Sequence, residues 1–174
     1  MTKTIVIIGG SRGIGKSLVE FAANEPTNKI YAFARKDKLM RDNFKSLDNV
    51  STYHLDLESF DKKNISEAFA HIGSIDILFN NAGYLVKISF EKLSHKDFVK
   101  SYQINVIGIM QAVQIAVPKM NPQGSHIVNI SSMGGFQGSV KFPGLTAYST
   151  SKAALCSFTE LFAEEYKESS IKMN

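Results

Sequence analysis

Short apolar runs alternate with amphipathic stretches along this chain, and that rhythm predicts its elements. Residues 3–9 (KTIVIIG) are a β-branched run closed by glycine, the pattern of a strand buried on both faces. A helix is expected over residues 13–24, with Ile14, Leu18, Phe21 and Ala22 as its apolar stripe. Residues 29–34 (KIYAFA) and 50–56 (VSTYHLD) read as the second and third strands, separated by a polar, lysine-rich helical segment. Another helix is expected over 59–71 and a fourth strand over 75–81 (IDILFNN). Ser94 opens a long helix, with Asp97 three residues on as its capping partner. Phe98, Tyr102, Val106, Ile109, Val113 and Val117 would line the inner face of that helix. Residues 125–131 (SHIVNIS) supply strand five, and a last long helix runs over 146–167.

Strand alternating with helix implies parallel βαβ units, hence a Rossmann-like, doubly wound α/β sheet covered on both faces. No repeat, low-complexity segment or linker divides the pattern, so residues 1–174 read as one domain. In such sheets ligands lie beyond the carboxyl ends of the strands. Three notable stretches fall there: residues 9–15 after strand one, 80–83 after strand four, and Ser131 and Ser132 after strand five.

The first of these, GGSRGIG, holds Gly9, Ser11, Arg12, Gly13, Ile14 and Gly15. Glycines permit a tight turn and let backbone approach a pyrophosphate, and the following helix offers free N–H groups. The spacing is Gly9-x-x-x-Gly13-x-Gly15, unlike the G-x-G-x-x-G fingerprint, and no Walker ending follows. A tight turn without a ligand is the plain alternative. An NAD site wants a carboxylate about 20 residues further on. Here strand two ends Ala34-Arg35-Lys36, with Arg12 as a second cation. Guanidinium groups bind a 2′-phosphate in bidentate fashion, so NADP(H) is expected in preference to NAD(H). Asp37 tempers that reading, and a solvated basic strand end is its alternative.

Composition narrows the picture further. The 174 residues are 44% hydrophobic and 21% charged, enough for one sizeable core. Twenty Lys and Arg face 16 Asp and Glu, and this scattered +4 contains no basic run, which argues against a nucleic-acid partner. Cys156 is the only cysteine, so no internal disulfide forms and a reducing compartment suits the chain. The opening MTKTIVIIGG reaches glycine too soon for a signal peptide or membrane span, and a cytoplasmic protein with no membrane partner is expected. His54, His71, His95 and His126 lack metal-ligand spacing, so no metal is expected.

Tyr148 and Lys152 stand four apart in the last helix and share a face. Together with Gly9-x-x-x-Gly13-Ile14-Gly15, Asp56, Asn80-Asn81-Ala82-Gly83, Asn105 and Ser132, they make the chain resemble the short-chain dehydrogenase/reductase family over essentially its whole length. The resemblance implies that Asp56 meets the adenine amino group and Leu57 the ring through its backbone. It implies also that Asn81, Ala82 and Gly83 flank the cofactor, that Tyr148 and Lys152 stand beside the nicotinamide ribose, and that Asn105 holds a water linked to Lys152. A phenol ionises near ~10, and a neighbouring ammonium with an oxidised nicotinamide favours phenolate at about 1.4 kcal/mol per pKa unit. Tyr148 is therefore the candidate general acid, with Ser132 holding the same carbonyl oxygen. Asn105 and Gly108 are both poor helix formers, so a break or bulge is expected there.

Three departures from the family pattern stand out. Ile8 replaces the threonine usual before the first glycine. Ser132 and Tyr148 are 16 apart, longer than usual, with the surplus in GSVKF before Pro143-Gly144. The chain stops at SSIKMN, where the family begins its sixth strand and continues into its substrate lid. A sheet ending there would leave an unpaired edge beside strand five, so a longer natural chain is expected. The last helix is apolar on two sides, with Ala154, Phe158 and Leu161 on one and Leu155, Phe162 and Tyr166 on the other. The resemblance implies a homodimer or homotetramer there, and further C-terminal residues are the alternative cover. The expected activity is hydride transfer between NADP(H) and a carbonyl or secondary alcohol substrate. The alternative is a catalytically silent dinucleotide-binding scaffold or sensor.

Overall fold

Strand β1 (Thr4–Ile8) carries the architecture, because Val6, Ile7 and Ile8 are all almost fully buried and alternate between two cores. Val6 and Ile8 face one apolar cluster, Ile5 and Ile7 the other. The computed structural model describes residues 2–59 and 62–174. It is a six-stranded, wholly parallel sheet in the order β3-β2-β1-β4-β5-β6, covered by helices on both faces. The other strands are β2 (Lys29–Ala34), β3 (Val50–His54), β4 (Ile77–Asn80), β5 (Ser125–Asn129) and β6 (Ile171–Met173). One face carries helices α1 (Gly13–Ala23) and α2 (Asp37–Phe44) over the smaller cluster, which includes Val19, Met40 and Phe44. The other carries α3 (Lys62–Phe69), α5 (Gly108–Ala116) and α6 (Thr146–Glu165) over the larger one, with α4 (His95–Tyr102) packed against α6.

The expected strands run past the observed ends of β3, β4 and β5, toward Asp56, Asn81 and Ser131. The ladder stops earlier because the backbone leaves it: Asn81 and Ala82 both direct their N–H to the Ile8 carbonyl, at 2.9 and 2.8 Å. The turn after β4 thus folds over the end of β1, whereas Leu55 and Ile130 N–H still donate to the Ala34 and Asn80 carbonyls past the ends of β3 and β5. The helix expected over 59–71 is described from Lys62 to Phe69, and residues 60 and 61 lie outside the described residues.

Two expectations need correction. Of the stripe placed on Ile14, Leu18, Phe21 and Ala22, Leu18 and Ala22 pack against the smaller cluster, whereas Ile14 is 60% and Phe21 78% exposed. Gly15 and Val19 complete the buried seam of α1. Glycine counts for nothing in a hydrophobic pattern, yet its missing side chain is what lets the helix lie close to the sheet. The edge of strand five is also not bare. β6 pairs with it at Ser125–Ile127, and Asn129 N–H continues to the Asn174 carbonyl at 2.7 Å.

The long helix after Ser94 starts as expected. Ser94 accepts from Asp97 N–H while the Asp97 carboxylate accepts from Ser94 N–H, a reciprocal cap. Its middle is a π-helical segment, Gln103–Ile107, at the bulge expected from Asn105 and Gly108.

Candidate active site

Strand order reverses between β1 and β4, and the crevice there is walled by the loops that leave both strands. Gly9 has φ +93°, and a Cβ on it would stand 2.5 Å from Ala82 N. A Cβ on Gly15 would stand 2.1 Å from the Gly9 carbonyl oxygen. Asn81 Nδ2 donates to that same oxygen at 2.9 Å. The glycine loop is thereby clamped against the turn after β4.

Helix α1 opens from this loop without a side-chain cap, at Arg12, and with no acid in its first turn. Its first return bond is Lys16 N–H to the Arg12 carbonyl, at 3.3 Å. The N–H groups before it are left for a ligand anion, with the helix dipole favouring negative charge. A side chain at Gly9 or Gly15 would push the loop and the turn after β4 apart, whereas a Cβ on Gly13 meets nothing within 4 Å. Bare donors and missing side chains fit the pyrophosphate of a dinucleotide, and Arg12 stands exposed beside them.

At the end of β2 the Arg35 guanidinium is exposed, and its partner is Glu58, at 3.4 Å. Glu58 also holds Lys100, with contacts of 2.7 and 2.8 Å. The hydrogen bond from Lys100, and then the charges of Lys100 and Arg35, keep the Glu58 carboxyl below the usual range. Asp37, the carboxylate nearest Arg35 in sequence, is paired with Arg41 instead. Asp56 accepts from Glu58 N–H at 2.9 Å, and the Leu57 carbonyl accepts from Gln103 Nε2 at 3.3 Å. Glu58 and Lys100 were not singled out by sequence reasoning. Proximity of Glu58 to Asp56 was a signal for the first, and nothing local marks the second.

Asn105 is fully buried. Its Oδ1 accepts from Tyr84 N–H at 2.7 Å, and its Nδ2 donates to the Tyr84 carbonyl and to Ser151 Oγ, both at 2.9 Å. It therefore staples the turn after β4 to α6. A Cβ on Gly83 would lie 3.6 Å from both Asn105 Oδ1 and Lys152 Nζ, so all three meet at one point. Lys152 is 3% exposed and donates to the Ile130 carbonyl at 2.6 Å. Burial pulls its ammonium down to about 8, with Cys156 acting in the opposite direction.

Tyr148 and Lys152 line one cleft of about 220 Å³ with Ile14, Asn81, Gly83, Leu85, Ile130 and Ser131. The Ser131 hydroxyl is committed to the Lys152 carbonyl at 2.9 Å and lies 3.1 Å from Cys156 Sγ. Ser132 is not part of that wall. Its Oγ accepts from Gly134 N–H at 3.2 Å, capping the short turn Met133–Gly135. The long loop between Ser132 and Tyr148 is pinned by Lys141, whose ammonium donates to the carbonyls of Phe136 at 2.6 Å and Gly134 at 3.1 Å. The site therefore gathers Gly9, Gly15, Asn81, Gly83, Tyr148 and Lys152 around the crevice, with Arg12 at the helix mouth. Arg35, Asp56 and Leu57 stand together on the rim past β2 and β3.

Comparison with known proteins matches residues 3–174 to the short chain dehydrogenase family model. The oxidoreductase BOA17 of Botryotinia fuckeliana is 30% identical over 99% of this chain and 64% of its own length. An uncharacterized oxidoreductase of Thermotoga maritima is 34% identical over 99% of this chain and 69% of its own. The crystal structure of acetoin dehydrogenase from Enterobacter cloacae superposes with a TM-score of 0.87, at 29% identity, covering 98% of this chain and 70% of that one. The chain spans about two thirds of the length of these proteins.

Proposed function

Because this chain belongs to the short-chain dehydrogenase family, we propose that it forms the dinucleotide-binding and catalytic part of an NADP(H)-dependent oxidoreductase that interconverts a carbonyl and a secondary alcohol. The observation that carries this reading is the single cleft shared by Tyr148, Lys152, Asn81 and Gly83 beside an uncapped helix mouth. Family membership favours this reading over a catalytically silent scaffold.

In this reading the turn at Gly9, Ser11, Gly13, Ile14 and Gly15 holds the pyrophosphate through backbone N–H groups. Asp56 and Leu57 hold the adenine, Arg12 and Arg35 the 2′-phosphate, and Asn81, Ala82 and Gly83 flank the bound cofactor. The nicotinamide, when bound, supplies or accepts the hydride. Tyr148 gives its hydroxyl proton to the carbonyl oxygen in reduction and takes it back in oxidation. Ser132 donates a hydrogen bond to the same oxygen. Its own proton meets no acceptor among the described residues, whereas that of Ser131 is already engaged. Lys152 holds the ribose and, through its charge, favours the phenolate side of the proton exchange. Asn105 fixes the turn after β4 against α6, which brings Gly83 up to Lys152.

The side of α6 that carries Leu161 is open there, with Leu161 68% exposed, and Val99 on α4 is 50% exposed. These surfaces support the homo-oligomer in this proposal. No described helix is long and apolar enough to cross a membrane. With Cys156 free, a reducing compartment such as the cytoplasm suits the protein.

The test is oxidation of NADPH by the full-length gene product against ketones, oxoacyl thioesters and quinones, followed by the absorbance of the reduced nicotinamide. Turnover with a carbonyl supports the reading. Tight NADPH binding with no turnover on any carbonyl overturns it.

A further inference from the structure

We propose that Glu58 and Lys100 determine how strongly the site discriminates a 2′-phosphorylated dinucleotide from an unphosphorylated one, by setting how free Arg35 is to leave its ion pair. The inference rests on the proposed role of this rim in holding the 2′-phosphate.

The three groups share one place. Ala34 pairs with His54 across β2 and β3, so Arg35 and Glu58 both lie just past the carboxyl ends of neighbouring strands. Lys100 reaches the same point from α4. Glu58 divides its charge unequally between the two cations. Its oxygens stand 2.7 and 2.8 Å from Lys100 Nζ but 3.4 Å from Arg35 Nη1. The lysine is also the more enclosed partner, with its side chain 25% exposed against 53% for Arg35, and its ammonium lies 4.9 Å from the centroid of the Tyr84 ring. Arg35 is thus the loosely held member. It spends one of five guanidinium donors on Glu58, which leaves most of the planar fork open.

A 2′-phosphate carries about two negative charges and three acceptor oxygens and takes guanidinium in bidentate geometry. As it arrives, Arg35 exchanges one long contact to Glu58 for two short ones to phosphate. The Glu58 charge left behind would repel the phosphate, and Lys100 neutralises it in place. These three groups together carry +1, and Lys96 adds a more distant positive charge that all the variants share. Without Lys100 the trio is neutral, and Glu58 both competes for Arg35 and repels the ligand. Without the Glu58 charge it carries +2, and Arg35 is held by nothing. A ligand with a bare 2′-hydroxyl makes no comparable demand, so the effect falls on the ratio of the two affinities.

The experiment is isothermal titration of the chain, without other ligand, with 2′,5′-ADP and with 5′-AMP at low salt. The proteins are wild type, Lys100→Met, Lys100→Arg and Glu58→Gln. We expect Lys100→Met to weaken 2′,5′-ADP about three- to fivefold, with 5′-AMP changed less than about twofold, and Lys100→Arg to restore the wild-type ratio. Glu58→Gln should tighten 2′,5′-ADP by a similar factor. A ratio of affinities unchanged in both Lys100→Met and Glu58→Gln overturns the inference, even where the wild type prefers 2′,5′-ADP. A wild type with no such preference overturns the NADP(H) reading alone, provided Glu58→Gln and Lys100→Met still move the ratio in opposite directions.

Discussion

Lys152 Nζ donates to the Ile130 carbonyl at 2.6 Å, from a side chain that is 3% exposed. The last residues beyond β5 and the second turn of α6 are joined through one buried ammonium. Such a group costs stability while it is charged, and one hydrogen bond offsets only part of that cost.

The pH dependence of that cost has a definite sign. Lys152 ionises at about 8 in the folded chain and at 10.5 in the reference state, so the penalty is fully present below pH 8. It is relieved as pH rises from about 8 toward 10.5, where the unfolded chain binds the extra proton. The full difference corresponds to roughly 3 kcal/mol. Lys152→Met should therefore unfold at higher denaturant than wild type at pH 7, with the advantage shrinking by pH 10. Chemical denaturation at both pH values measures this, and an advantage that grows with pH contradicts it.

Asn105→Ala should be strongly destabilising. It removes the partner of both Tyr84 backbone groups and of Ser151 at a fully buried position. Unpaired buried groups cost about 1–3 kcal/mol each, so a loss of roughly 2–4 kcal/mol is expected. Amide hydrogen exchange should quicken in the turn at Asn81–Tyr84 first. A midpoint within experimental error of wild type would remove the staple from the account.

Gly15→Ala tests the cradle. The added methyl would start 2.1 Å from the Gly9 carbonyl oxygen and 2.5 Å from Asn81 Nδ2, both fixed by the hydrogen bond between them. A loss of at least about 1–3 kcal/mol in stability is expected, with NADPH affinity reduced more than tenfold. Gly13→Ala is the contrast, because nothing lies within 4 Å of its Cβ and only its φ of +55° opposes the change. It should cost about 1 kcal/mol. Equal losses in the two variants would deny the close packing at Gly15.

Leu161→Asp should leave the monomer folded and shift the full-length protein toward it. The side chain is already 68% exposed, so the charge disturbs no core. Sedimentation velocity measures the shift, and an unchanged distribution places the interface elsewhere.

The layered fold was readable in the sequence because β-branched runs such as TIVII and amphipathic stretches such as HKDFVKSY differ in period. The bulge near Asn105 was readable from two poor helix formers placed close together. Other features were hidden for physical reasons. The seam of α1 runs through Gly15, which has no hydrophobic signature, so the eye settles on Ile14 and Phe21. The partner of Arg35 lies 23 residues away in Glu58, and the partner of Glu58 a further 42 away in Lys100. Pairings of that kind arise only when β2, β3 and α4 converge. The depressed ionisation of Lys152 likewise depends on how deeply α6 packs, which spacing to Tyr148 does not encode.

In the proposed mechanism the Tyr148 hydroxyl moves the proton in the cleft it shares with Lys152. The direct measurement is Tyr148→Phe in the full-length protein, with kcat on a turned-over carbonyl and NADPH affinity determined side by side. We expect kcat to fall about 10²–10⁴-fold, with NADPH Kd within about threefold of wild type. A variant that turns over as fast as wild type would contradict the mechanism.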